Sequence, residues 1–166
     1  MISWPTKLKE NEVFVFGSNS AGFHGAGAAG YAFRGTAENT WRKDEKFKKA
    51  MRGDRDYIVG KWAIFGYSHG FQQGASGKSY AICTIKRPGQ PRSVPLSEIE
   101  SQLNKLFQFA IDNSDLVFYV TPIGEGFAGY TQEEMREVWR RVISKNGHPN
   151  NIHLLLEKSL WECMQN

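Results

Sequence analysis

A chain of 166 residues with 40% hydrophobic and 23% charged side chains has the size and make-up of one globular domain, 1–166, which buries enough apolar surface to fold without a disulfide or metal. Its two cysteines, Cys83 and Cys163, form no Cys-x-x-Cys pair and no Cys/His cluster, which excludes a disulfide framework and structural zinc and suits a reducing cytoplasm. The net charge of +4 favours an anionic ligand, the N-terminal residues lack the apolar centre of a signal peptide, and no run reaches the ~18–20 apolar residues of a membrane helix.

Glu12–Phe16 (EVFVF) is a β-branched and aromatic run and predicts a buried strand. Gly17–Gly30 is a glycine-rich loop, and its last part continues into an alanine-rich stretch, Ala26–Arg34, that opens a helix. Thr36–Asp56 is polar and charged, a surface helix or an excursion. Tyr57–Phe65 reads as a strand pair or a strand–turn, and Gly66–Lys78 as a loop rich in Gly, Ser and Gln. Ser79–Ile85 (SYAICTI) is a second strand, and Lys86–Pro95, with three prolines, must be a loop.

Ser97–Asn113 carries the clearest helical pattern. Ser97 and Glu100 have the spacing of a capping box, and Ile99, Leu103, Leu106, Phe107, Ala110 and Ile111 recur at helical spacing on one face. Leu116–Thr121 (LVFYVT) is a third strand and Pro122–Tyr130 a second glycine-rich loop. Thr131 and Glu134 form another capping box, opening a helix over Gln132–Lys145 with an inward stripe of Met135, Val138, Trp139 and Val142. Asn151–Glu157 is the last strand. Strands alternating with helices predict an α/β fold with a parallel or mixed sheet covered on both faces, and ligands at the carboxyl ends of the strands.

Both glycine-rich loops leave a strand and enter a helix. Glycine lets successive N–H groups turn toward one point, and a helix start adds unpaired N–H groups and about half a positive charge. Such a loop takes phosphate oxygens, or is simply a turn. Two of them side by side, with the amides of Gly25–Gly27 and Gly124–Gly129 facing one cleft, would take the two phosphates of a diphosphate. Gly25–Gly30 also spells the G-x-G-x-x-G fingerprint, so a dinucleotide (NAD)-binding Rossmann-type fold is an alternative. Against it, eight residues separate Phe16 from Gly25, and Lys43–Asp54 offers no acid-ended strand. Gly77-Lys78-Ser79 imitates the end of a P-loop, but Gln72 stands where its first glycine belongs and a strand follows instead of a helix.

Taken in order, FGSNSAGFHGAGAAG, SYAICT and VTPIGEGFAGYTQEE resemble the macrodomain superfamily, in particular a divergent bacterial and phage group with FGSN…HGAGAA and TPIG…AGY motifs. The likeness spans about Val13–Glu134. It implies a three-layer α/β/α fold, a mixed central sheet flanked by helices. It also implies binding of ADP-ribose or a related nucleotide diphosphate between the two glycine loops, with hydrolysis of an ADP-ribosyl bond as a further activity of the same site. By the same likeness Asn19 corresponds to an asparagine that contacts the distal ribose, Gly25, Ala26, Gly27 and Ala28 to one diphosphate loop, and Gly126, Phe127, Ala128 and Gly129 to the other. Gly17-Ser18-Asn19 replaces an Asn-Ala-Ala-Asn signature, Ala128 replaces the usual aromatic, and Glu12 is the nearest acid ahead of the first strand.

The candidate ligand-binding set is therefore Gly17, Ser18, Asn19 and Gly25–Ala28 in the first loop, and Ile123, Gly124, Glu125, Gly126, Phe127, Ala128, Gly129 and Tyr130 in the second. Three of its neighbours or members are candidates for catalysis. His24 is an acid or base, a ribose contact, or a packed loop histidine. Glu125 faces the distal ribose and orients a water there, or is a solvated loop residue. Asn19 holds a ribose hydroxyl or the same water, or caps its own turn. Phe127 and Tyr130 stack on a base or ribose, or belong to the core. His69 and His153 read as structural. Arg42, Lys43, Lys46, Lys48, Lys49 and Arg52 form a solvated face or, as the remaining alternative, a nucleic-acid contact within 42–55. No cofactor, no metal and no membrane partner is expected; the partner is a small nucleotide.

Overall fold

The computed structural model describes residues 4–38, 45, 48–49 and 58–155. In chain order these give β1 (Glu12–Asn19), α1 (Gly27–Arg34), β2 (Gly70–Gln73), β3 (Lys78–Ile85), α2 (Leu96–Asp112), β4 (Val117–Val120), a 3-10 turn (Gly126–Ala128), α3 (Gln132–Asn146) and β5 (Ile152–Leu154). One sheet of five strands runs β2-β3-β1-β4-β5, with β2 antiparallel to β3 and the other neighbours parallel.

The apolar run of β1 has no polar face because the sheet is covered on both sides. Val13 and Val15 enter one core with Tyr80, Ile82, Phe118 and Val120, against the inward faces of α2 and α3. Phe14 and Phe16 point the other way and pack with Ala81 on Ala29 and Ala32 of α1 and on Trp62. The result is the expected α/β/α arrangement, with β1 at its centre.

Several boundaries differ from the sequence pattern. β1 continues past Phe16 because Gly17, Ser18 and Asn19 still pair with Ile82, Cys83 and Ile85 of β3. The segment 66–78 is not all loop: β2 lies within it as an edge strand. β2 has no apolar alternation to announce it. Its only buried side chain is Gln72, whose amide accepts from Ile64 N at 2.8 Å and donates to Tyr67 O at 3.1 Å. Residues 58–65 form a turn closed by one antiparallel bridge, Val59 to Ile64. Tyr57, most of the polar 36–56 segment and everything beyond residue 155 lie outside the described residues.

The capping box at Ser97 is a correction. Pro95 stands at the N-cap, its carbonyl accepting from Glu98 N and Ile99 N at 3.0 and 3.1 Å, and no side chain caps α2. The buried Tyr130 hydroxyl, which donates to Val94 O at 2.6 Å, pins the chain so that the helix begins one residue ahead of Ser97. At α3 the expected box is present, with Glu134 N donating to Thr131 Oγ1 and Thr131 N to Glu134 Oε1. The dinucleotide alternative is also set aside: among the described residues the strand that follows α1 is the antiparallel β2, not a parallel partner of β1. No helix among the described residues is long and apolar enough to cross a membrane.

The two helix starts predict opposite mutational outcomes. Thr131→Ala should destabilise the protein by about 1 kcal/mol, as loss of an N-cap does, whereas Ser97→Ala should stay within about 0.5 kcal/mol; urea unfolding of both variants measures the difference.

Candidate functional site

Parallel neighbours deliver their following loops to the same edge of a sheet. β1 and β4 pair from Glu12/Val117 to Val15/Val120, and Thr121 closes the pair by donating through N and Oγ1 to Val15 O at 3.1 and 2.7 Å. Beyond that point the strands part, and each runs into its glycine loop. Between the loops lies a cleft of about 610 Å³. Its walls are Gly17–Asn19, Phe23 and Gly25–Ala29 from the first loop, Pro122 and Gly124–Ala128 from the second, Thr84, Ile85 and Pro88 from the end of β3, and Trp4.

Among the glycines that line this wall, Gly27 and Gly126 are the two with open space beside the backbone. Both have positive φ, 61° and 65°, and a Cβ on either would meet nothing within 4 Å. The expectation that every amide of Gly25–Gly27 and Gly124–Gly129 faces the cleft is corrected at two positions: Gly27 N donates to Ala37 O and Gly129 N to Gly126 O, each at 3.0 Å. No side chain caps the start of α1, and none caps the 3-10 turn at Gly126. With no side-chain cap, the amides that follow Gly27 in α1 and those of the 3-10 turn are the ones an anion at these starts would meet.

The polar side chains at the end of β1 are occupied in shaping this wall. Asn19 Nδ2 donates to Phe23 O at 2.8 Å, while Oδ1 accepts from Ala21 N and Phe23 N at 3.2 and 3.0 Å. Ser18 Oγ donates to Ser68 O, and Thr84 Oγ1 to Ser18 O at 3.4 Å. Asn19 is thus the clamp of the first loop, the turn-capping alternative read from the sequence.

His24 does not line the cleft. Its ring is fully buried beneath the loop, edge-on to Phe16 at 5.2 Å and near Phe33 and Phe65, with Nε2 hydrogen-bonded to Ile64 O at 3.0 Å. Burial among these rings lowers its pKa from 6.5 to about 4, despite the opposing hydrogen bond to Ile64. A neutral, sealed imidazole is a packing element, not an acid or base for a bound ligand.

Three second-loop candidates also stand behind the wall. Ile123 is fully buried in the core, Tyr130 is held by Val94 O, and Gly129 closes the 3-10 turn through its N–H to Gly126 O at 3.0 Å. Phe127 is 76% exposed at the rim, and Glu125 supplies a carboxylate to the lining. The loop 86–95 braces this side. Arg92, at φ 58°, donates its backbone N–H to Ala128 O at 2.7 Å, forks onto Glu134 at 2.9 and 2.7 Å, and lies 5.0 Å over the Tyr130 ring. The Arg92 guanidinium, with the Thr131 N–H, draws the Glu134 carboxyl down to about 2.

Trp4, Phe23, Ala29, Thr84, Ile85, Pro88 and Pro122 line the cleft and were not among the expected residues. Thr84 and Ile85 follow once β3 is placed beside β1, and Pro122 directly follows β4; nothing local marks Trp4. His69 bonds to Ser68 Oγ through Nδ1 at 2.9 Å, and His153 stacks on Tyr119 at 5.7 Å; neither is among the residues that line the cleft. Of the basic cluster, Arg42, Lys43, Lys46 and Arg52 lie outside the described residues, and Lys48 pairs with Glu45 at 3.3 Å. Among the described residues no three His, Cys, Asp or Glu side chains gather to hold a metal ion. A second, shallower groove of about 840 Å³ follows the outer face of α2 to the end of α3 and includes neither glycine loop.

Comparison with solved structures identifies this architecture. The chain is similar to the macrodomain of Mycobacterium tuberculosis DarG (TM-score 0.53, 16% identity, 92% of this chain and 93% of that one), and to a variant of the Oceanobacillus iheyensis macrodomain (TM-score 0.50, 16% identity, 96% and 84%). A Bacteroides thetaiotaomicron protein of unknown function matches at TM-score 0.51 with 12% identity over 88% of both chains. No family model matches the chain, and neither does any curated protein. The fold is therefore the macrodomain fold, carried by a sequence that shares little with the structures it matches.

Burial of His24 makes a pH prediction. The unfolded chain takes up a proton near pH 6.5 and the folded chain only near 4. The stability this group contributes is complete above pH 6.5 and is lost as pH falls toward 4, by about 3 kcal/mol in all. Urea unfolding at pH 7 and pH 4.5 should show that loss in the wild type and a shallower one in His24→Leu.

Proposed function

We propose that this protein binds ADP-ribose, or a related nucleoside diphosphate, with the diphosphate between the two glycine loops. The observation that carries the reading is the convergence of Gly25–Ala28 and Gly124–Ala128, delivered by adjacent parallel strands, on one cleft. Apart from Gly27 N–H, which Ala37 O holds, backbone amides at two helical starts that no side chain caps would provide donors and partial positive charge for phosphate oxygens. The macrodomain fold supports the same ligand class. Gly17 and Ser18 form the floor, Asn19 holds the first loop in its binding shape, and Ile123, Gly129 and Tyr130 hold the second. Cys83, a free thiol, and a nucleotide ligand fit a cytoplasmic setting.

Hydrolysis of an ADP-ribosyl bond is the second reading, favoured by the Glu125 carboxylate in the cleft lining. A carboxylate repels a diphosphate, so Glu125 belongs beside the distal ribose. There it would accept a proton from a water as the water oxygen bonds to the anomeric carbon and the departing group takes the glycosidic electron pair. His24, sealed under the first loop, has no part in this step.

Isothermal titration of the folded protein with ADP-ribose, ADP and AMP tests the first reading. Heat is expected from the diphosphates, and its absence with every diphosphate would overturn the proposal. Gly126→Val, which crowds the cleft and strains a positive-φ position, should weaken binding about ten-fold or more, or roughly 1.4 kcal/mol. For hydrolysis, Glu125→Gln should abolish release of ADP-ribose from a modified substrate while binding ADP-ribose at least as tightly; unchanged turnover would remove Glu125 from the mechanism.

A further inference from the structure

One wall of the cleft comes from outside both loops and the sheet. Trp4 lies ahead of β1, and its ring is fixed by two edge-to-face contacts, with Phe14 at 5.7 Å and 68° and with Tyr31 at 5.1 Å and 70°. The segment that carries it is tied down along its length. Tyr31 OH donates to Pro5 O at 2.7 Å, Lys61 Nζ to Thr6 O at 3.0 Å, Lys78 Nζ to Glu10 O, and Lys9 N to Glu12 Oε1 at 2.6 Å. The indole is half-buried: it packs on the α1-side core beside Ala28, and it also lines the cleft. Ala28 and Ala29 continue the same wall without a polar side chain.

These features place an apolar indole, held by Phe14 and Tyr31, in the same lining as Gly27 and Ala28 at the start of α1. A nucleoside diphosphate must place its base on one side of its phosphates, and a base gains most from a held aromatic face. We infer that Trp4 is the nucleobase platform of this cleft, stacking on the base of a bound nucleoside diphosphate. The inference rests on the diphosphate reading and deepens it. Stacking uses the π-face and not the hydrogen-bonding edge of a base, so this contact serves adenine and guanine alike.

The test uses the full chain, titrated with ADP-ribose, GDP and inorganic pyrophosphate. Trp4→Ala should lower the affinity for ADP-ribose and GDP about ten-fold or more, the order expected for one lost base–aromatic stack, and change that for pyrophosphate less than about two-fold. Trp4→Phe should recover most of the loss. A second readout is intrinsic fluorescence in a Trp41→Phe/Trp161→Phe background: of the remaining tryptophans Trp62 and Trp139 are sealed in the core, so quenching by ADP-ribose should be present with Trp4 in place and largely lost when Trp4→Phe is added. Equal weakening toward all three ligands, or none, would overturn the assignment, as would quenching that survives in Trp4→Phe. Wild-type protein that binds neither ADP-ribose nor pyrophosphate would overturn the diphosphate reading itself, whereas normal ADP-ribose binding by Trp4→Ala would overturn only the role of Trp4.

Discussion

The parallel pairing of β1 with β4 is the constraint on which the site depends. Their shared register ends at Val15 and Val120, and Thr121 fastens that end with two hydrogen bonds to one carbonyl. Because the strands point the same way, two loops about a hundred positions apart in the chain emerge side by side. The pairing is held by burial on both faces, with Val13 and Val15 toward α2 and α3 and with Phe14 and Phe16 toward α1.

The sequence exposed those parts of the fold whose signal is local. EVFVF, SYAICTI and LVFYVT mark β1, β3 and β4 because a strand covered on both faces needs an unbroken apolar run. The stripes of α2 and α3 are equally plain, and Thr131 with Glu134 sets one helix start to the residue. β2 was hidden because it buries only Gln72, and its pairing with β3 and the amide bonds of Gln72 to Ile64 and Tyr67 leave no alternation in the sequence. Ser97 misled because a cap depends on where the preceding turn is anchored, and Val94 is anchored by Tyr130 from another part of the chain.

The site divides in the same way. Its glycine loops were legible because strand, glycines and helix start occur together in sequence. Roles that depend on distant partners were not. His24 looks available within its loop, yet Phe16, Phe33 and Phe65 enclose it. Trp4 looks like part of a tail, yet Phe14 and Tyr31 bring it to the cleft. Arg92 sits in a proline-rich connection, and only its contacts with Ala128, Glu134 and Tyr130 reveal it as a brace, held in a left-handed conformation that arginine seldom adopts.

The clamp formed by Asn19 has a consequence for how a ligand arrives. An amide that already satisfies three backbone groups leaves the first loop little conformational freedom to surrender on association. Occupied and empty forms should then share nearly the same backbone there, and complex formation should follow a single kinetic phase that scales with ligand concentration, without a slow rearrangement behind it.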